Sequence, residues 1–189
     1  MGYTRKLRFA GILGVGLLAS GGMGVAMAEG GISANLALSN TIFNMDVGGL
    51  DADGFSLFVD SDKLANGEET VSRIKMTKAR VSDVCMSAPI KVPGIGEKKF
   101  QMLVPGQNME AENMIIGAPD LSGGMTLVKP QIGIDASQVD KNAAPGAWGI
   151  AAEKLISDGQ TMHASSLSAD QLTAAGSEIT LVNPDDAEC

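Results

Sequence analysis

The chain has 189 residues, 44% hydrophobic, 19% charged and 4% aromatic, with 24 glycines and 7 prolines, which allows one domain rich in turns. A formal charge of −8 argues against nucleic acid as a partner, because polyanion binding needs clustered Lys and Arg to displace counterions. One histidine and two cysteines exclude most zinc sites and multi-disulfide scaffolds.

Arg5, Lys6 and Arg8 precede an uncharged stretch from Phe9 to Ala28 that ends Ala26-Met27-Ala28, before Glu29. A basic start, an apolar middle and an A-x-A end mark a secretory signal peptide. Residues 1–28 are therefore read as a signal helix removed on export, and 29–189 as the mature domain. The rival reading is an uncleaved anchor, since about 20 apolar residues span a bilayer. Gly11, Gly14, Gly16, Gly21, Gly22 and Gly24 lower the hydropathy an anchor needs. Export places the protein outside the cell or in its envelope.

Beyond Glu29, period two dominates. Ile32, Ala34, Leu36 and Leu38 alternate with polar or small residues, as do Phe43, Met45 and Val47, then Phe55, Leu57 and Val59. In 71–85, Ile74 and Met76 share one parity and Ala79, Val81 and Cys85 the other, which predicts a bulge near Thr77–Lys78. Phe100, Met102 and Val104 follow, then Met125 and Leu127, Ile132 and Ile134, and Ile179 and Leu181. Alternation puts one face on a core and the other in water. Gly48-Gly49, Asp53-Gly54, Asn66-Gly67, Pro93-Gly94, Pro105-Gly106, Gly123-Gly124, Pro145-Gly146 and Asp158-Gly159 read as turns between short strands. The fold class is mainly β: one antiparallel domain, a sandwich or a curved, folded-over sheet, with little helix. Residues 147–156 read as a short helix or a strand, and 165–175 as a short helix. Residues 61–67, 111–117 and 152–159 echo one another loosely, through a strand–turn repeat or through chance.

In an oxidising compartment Cys85 and Cys189, the only two cysteines, are expected to pair. The bridge would close a loop of about 105 residues, worth roughly 4–5 kcal/mol. Two unrelated thiols are the alternative.

Catalytic and cofactor signals are weak. The G-x-S-x-G elbow is absent, and the sole histidine, His163, stands beside Ser165 and Ser166 with no acidic orienter in the local sequence. Asp51-x-Asp53-Gly54 and Asp60-x-Asp62 lack calcium-loop spacing and read as acidic turns on a solvated edge. Gly94-Ile95-Gly96 begins like a dinucleotide motif, but Lys99 stands where the last glycine belongs, so it reads as a hairpin turn. No catalytic residue, metal or cofactor is expected. Met45, Met76, Met86, Met102, Met109, Met114, Met125 and Met162 suit either core packing or a surface that receives acyl chains.

Several segments together resemble a family of secreted actinobacterial proteins of unknown function. They are the basic leader, Ile32–Met45, VGGLDADGF at 47–55, KARVSDVC at 78–85, ENMIIGAPDLSGGMTLVKPQIGIDAS at 112–137, APGAWG at 144–149 and the acidic end with Cys189. The resemblance implies export, an all-β fold and a disulfide. Family members often carry an automatically transferred cholesterol esterase label, while the motifs matched here are turns, strand residues and cysteines. The expected function is a non-enzymatic secreted or cell-envelope protein that binds or shields lipid on an apolar sheet face. The alternatives are a structural surface protein joined through strand edges, and a lipid-ester hydrolase. Partners would be a lipid or other apolar ligand, or an envelope protein.

Overall fold

The computed structural model describes residues 41–64 and 67–189 and the short strand Asn35–Leu36; the signal-peptide reading of 1–28 and most of the run Ile32–Leu38 lie outside the described residues. The strands are β1 (Asn35–Leu36), β2 (Phe43–Leu64), β3 (Gly67–Val92), β4 (Gly96–Val104), β5 (Met109–Ala118), β6 (Asp120–Gly123), β7 (Thr126–Val128), β8 (Gln131–Asp135), β9 (Trp148–Ala164), β10 (Ser166–Ser168), β11 (Gln171–Ala174) and β12 (Glu178–Val182). Every strand pairing is antiparallel, and the described strands form one sheet.

Three apolar ladders cross that sheet. Leu121, Met162, Met45, Met86, Met102 and Ile179 lie opposite one another across β6, β9, β2, β3, β4 and β12. Leu127, Leu155, Ala52, Ala79, Ala111 and Leu172 do the same across β7, β9, β2, β3, β5 and β11. Ile132, Ile150, Leu57, Ile74, Ile116 and Leu167 complete the set across β8, β9, β2, β3, β5 and β10. Cross-strand apolar pairs of this kind are the unit of sheet stability. Each ladder marks one panel, numbered here one to three in that order, and one buried cluster draws on all three.

Between the panels the alternation resets. Along β2 the residues in the main buried cluster are Phe43, Met45 and Val47, then Leu50 and Ala52, then Phe55, so the inward parity changes twice. The first change falls at Gly48, which stands opposite Asp83 (φ 50°) and Gly159 (φ 78°). The second falls at Gly54 (φ 65°), in line with Thr77, Asn113 (φ 49°) and Lys129 (φ 50°). A left-handed residue turns the pleat over without adding a residue. The parity change expected at Thr77–Lys78 is present, but it is not a bulge. Asp53↔Lys78 and Ser56↔Lys75 enclose equal lengths of both strands, and the left-handed residues sit on the neighbouring strands. At Gly54 a side chain would also collide, because an added Cβ would lie 2.9 Å from Thr77 Cβ.

The two rows fold panel one over panel three, with panel two as the spine. β5 ends in panel three at Ala118 and β6 begins in panel one at Asp120. Only Pro119 separates them, and consecutive Cα atoms are about 3.8 Å apart, so the two panels meet there. Ser165 makes the same crossing from β9 to β10. Outside panel three, the segment 136–147 covers Phe58 with Ala136, Val139, Ala143 and Ala147 and is held by Lys75 Nζ donating to Asp140 (2.6 Å).

Several sequence expectations are corrected. Residues 147–156 and 165–175 contain no helix; they belong to β9, β10 and β11, where cross-sheet burial of residues such as Leu155 and Leu167 overrides weak helical spacing. Gly48-Gly49, Asp53-Gly54 and Asp158-Gly159 do not reverse the chain but lie inside β2 and β9, which run 22 and 17 residues. The echo of 61–67, 111–117 and 152–159 marks no common unit. Gly67 closes a hairpin, Gly117 lies in panel three and Gly159 lies in the row between panels one and two.

Candidate functional site

Where the panels meet, polar groups from distant parts of the chain converge. Asp62 accepts hydrogen bonds from Ser165 Oγ (2.5 Å), Ser166 Oγ (2.9 Å) and Arg73 Nη2 (2.6 Å). Arg73 also donates to Asp60 from Nε (3.1 Å) and to Ser166 Oγ from Nη1 (3.1 Å), while Ser165 N–H donates to Gly117 O (2.8 Å). Gly117 admits the cluster, since an added Cβ would stand 2.6 Å from Ser166 Oγ. Burial pushes the Asp62 carboxyl up, but the Ser165, Arg73 and Ser166 hydrogen bonds outweigh it and hold it below the usual carboxylate range. Burial likewise lowers Arg73, and Asp62 and Asp60 outweigh it upward. Asp60-x-Asp62 is therefore no solvated acidic turn at Asp62: the carboxylate clasps Arg73 of β3 and the β9–β10 crossing at Ser165 and Ser166. The sequence held no signal for this, because the partners lie 11 and more than 100 residues away.

His163 lies half-exposed on β9, where register sets it opposite Asp120 of β6. Its Nδ1 is 2.7 Å from Asp120 Oδ1, so the fold supplies the acidic neighbour the local sequence lacked. Ser165 and Ser166 do not join it; their hydroxyls donate to Asp62. Asp51 and Asp53 fall on the outer face of panel two, where Asp51 pairs with Lys154 Nζ (2.9 Å), an ordinary cross-strand charge pair. Gly94-Ile95-Gly96 makes the β3–β4 hairpin turn, with Ile95 N–H donating to Val92 O (3.1 Å). Among the described residues, no group of three His, Cys, Asp or Glu side chains is placed to hold a metal ion.

Cys85 and Cys189 stand at disulfide distance, with Cα atoms 6.1 Å apart. The closing segment crosses the outer face of panel one. Ser87 Oγ and Lys99 Nζ donate to Cys189 O (2.7 and 3.1 Å), and Glu188 N–H donates to Gln101 Oε1 (2.8 Å). These contacts bury Ser87 and Gln101, polar residues on what would otherwise be a wet face.

The segment leaves β12 open. Among the described residues β12 pairs with β4 alone, so one row of its backbone donors and acceptors has no strand beside it. Ile179 and Leu181 are 61% and 60% exposed and lie opposite Met102 and Phe100. The panel-one ladder thus runs off the sheet uncovered. Ile132 on β8, 66% exposed, ends the panel-three ladder in the same way.

Met45, Met76, Met86, Met102, Met109, Met114 and Met162 are buried between the panels, and Met125 is 42% exposed. The apolar cavity that Met45, Met76, Met114, Met125 and Met162 line with Leu121, Leu155 and Gln160 measures about 20 Å³, room for about one water. The methionines other than Met125 are core, and the cavity as it stands is too small for a lipid chain.

A family model described as a family of unknown function (DUF6230) matches residues 39–189. No curated protein and no solved structure matches the chain.

Proposed function

We propose that this chain, which belongs to the DUF6230 family of unknown function, is a non-enzymatic protein of the cell envelope or the medium that assembles through the edge of β12. The leader Arg5–Ala28 supports export. One observation carries the assembly: a strand edge with no partner among the described residues, bearing two large exposed apolar side chains, Ile179 and Leu181. Monomers blunt such edges with Lys, Pro or a bulge, because an open edge templates further strands. Within Glu178–Val182 neither Lys nor Pro occurs. Pairing two copies antiparallel about Thr180 sets Ile179 of one copy opposite Leu181 of the other, a self-complementary two-fold contact that continues the panel-one ladder.

The contact is five residues long, short of the roughly 1,200 Å² of a stable interface, so association is weak and grows with concentration. The hydrolase reading has less support, since the serines nearest His163 in sequence donate to Asp62. Sedimentation equilibrium over a hundredfold concentration range tests the proposal. The wild type should show reversible dimers, and Ile179→Lys/Leu181→Lys should remain monomeric with an unchanged melting temperature. A wild type that is monomeric throughout would sink it.

A further inference from the structure

We infer that the seam between panel one and panel three is a binding site for the carbonyl end of a neutral acyl chain, an ester or an amide, with Gln160 as the hydrogen-bond donor. Gln160 is 4% exposed, and its Nε2 has no hydrogen-bond partner among the described residues. It is the one polar side chain lining a cavity otherwise walled by thirteen apolar residues. A buried amide donor left unpaired costs about 1–3 kcal/mol. A water is a poor remedy, because a buried water needs two to four polar partners and the side chains here offer one. A ligand that carries its own apolar stem and a single acceptor fits that lining better.

The way in is beside Gln160. Gly123 of β6 pairs with Gln160, and an added Cβ on Gly123 would stand 3.0 Å from Gln160 Cγ. The turn 123–125 therefore lies against the stem of Gln160, pinned by Ser157 Oγ donating to Gly124 O (2.6 Å). Met125 lines the cavity and is 42% exposed, so it stands at the mouth. Methionine has three soft torsions and repacks readily. Swinging Met125 outward opens the cavity at its mouth, and the carbonyl end of the ligand with its first carbons enters toward Gln160 Nε2, while the rest of the chain and the head group stay outside past the turn. No cationic side chain lines the cavity. A carboxylate would be buried there without a counter-charge, which is costly, so the site selects the neutral ester or amide over the fatty acid anion.

The probe is 1-decanoylglycerol below its aggregation concentration, with decane and decanoate at pH 8 as comparisons. The readout is the NMR spectrum of the chain, expressed with its own leader, purified and labelled at its methionine methyls. The ester should give saturable shifts at Met114, Met125 and Met162. Decanoate should bind at least tenfold more weakly. Gln160→Leu should bind the ester about tenfold more weakly, the loss of about 1.4 kcal/mol, with decane unaffected. Gln160→Met serves the same comparison should the leucine variant misfold. Absence of saturable shifts overturns the inference, and so does a folded Gln160 variant that binds the ester as tightly as the wild type. Decane binding as tightly as the ester removes the carbonyl from it.

Discussion

Loss of the bond expected between Cys85 and Cys189, which stand at disulfide distance, should be among the most costly changes available to this chain. The sequence separation is 104 residues. The chain-entropy relation for a closed loop then gives about 4.7 kcal/mol at 25 °C. The rest of the effect lies on the outer face of panel one. Released, the closing segment is held by the bonds from Ser87, Lys99 and Glu188, at roughly 1 kcal/mol each, so the loss stays near the entropic figure so long as those bonds persist. For a chain of this size 1 kcal/mol moves the melting temperature by roughly 2–4 °C, so Cys85→Ser/Cys189→Ser should melt about 9–19 °C below the wild type. The assay is thermal unfolding by circular dichroism for the wild type, the reduced wild type and the double variant. The last two should coincide. If all three melt within about 2 °C, or if both thiols alkylate in the folded protein without reductant, the pair is not bonded and the segment owes its position to hydrogen bonds alone.

Acid should loosen the clasp. Asp62, Asp135 and Asp140 all titrate below the usual carboxylate value, through the hydrogen bonds they accept in the fold. A depressed folded pKa gives stability that is full above the unfolded value, near pH 4, and fades as pH falls through the folded one; melts between pH 7 and pH 2 should show the fall, and Asp62→Asn, costing about 1–3 kcal/mol at pH 7, should flatten it. Gly54→Val forces a β-branched residue into φ 65° against Thr77 and should destabilise by about 3 kcal/mol or more; a denaturant midpoint equal to that of the wild type would remove the folding row at that position. His163→Ala should leave any background ester hydrolysis unchanged, because the serines beside it bond elsewhere; a turnover that collapses in this variant would reinstate the hydrolase reading. N-terminal sequencing of exported protein should begin at Glu29, and a retained Met1 would favour the anchor.

The sequence by itself determined the fold class and, along stretches such as Phe43–Val47, which residues face inward. Period two requires no knowledge of partners, because successive strand side chains point to opposite faces whatever lies beside them. Phe43, Met45 and Val47 were legible as one buried face for that reason, and the parity change near Thr77 was legible as a defect in the same period. How the chain uses its glycines was not legible. A left-handed residue serves a hairpin and a pleat reversal equally well, so Asn66-Gly67 and Asp53-Gly54 look alike in sequence, yet Gly67 pairs with Leu64 at the end of a hairpin and Gly54 lies within a strand of 22 residues. Only the alignment of Gly54 with Asn113 and Lys129 on other strands shows a row, and that alignment is a property of register. The clasp on Asp62, the Asp120 neighbour of His163 and the unpartnered amide of Gln160 share this origin. Each depends on which strand lies alongside which and on folding one panel over another, and long-range pairing of that kind is set by the whole core rather than by any local stretch.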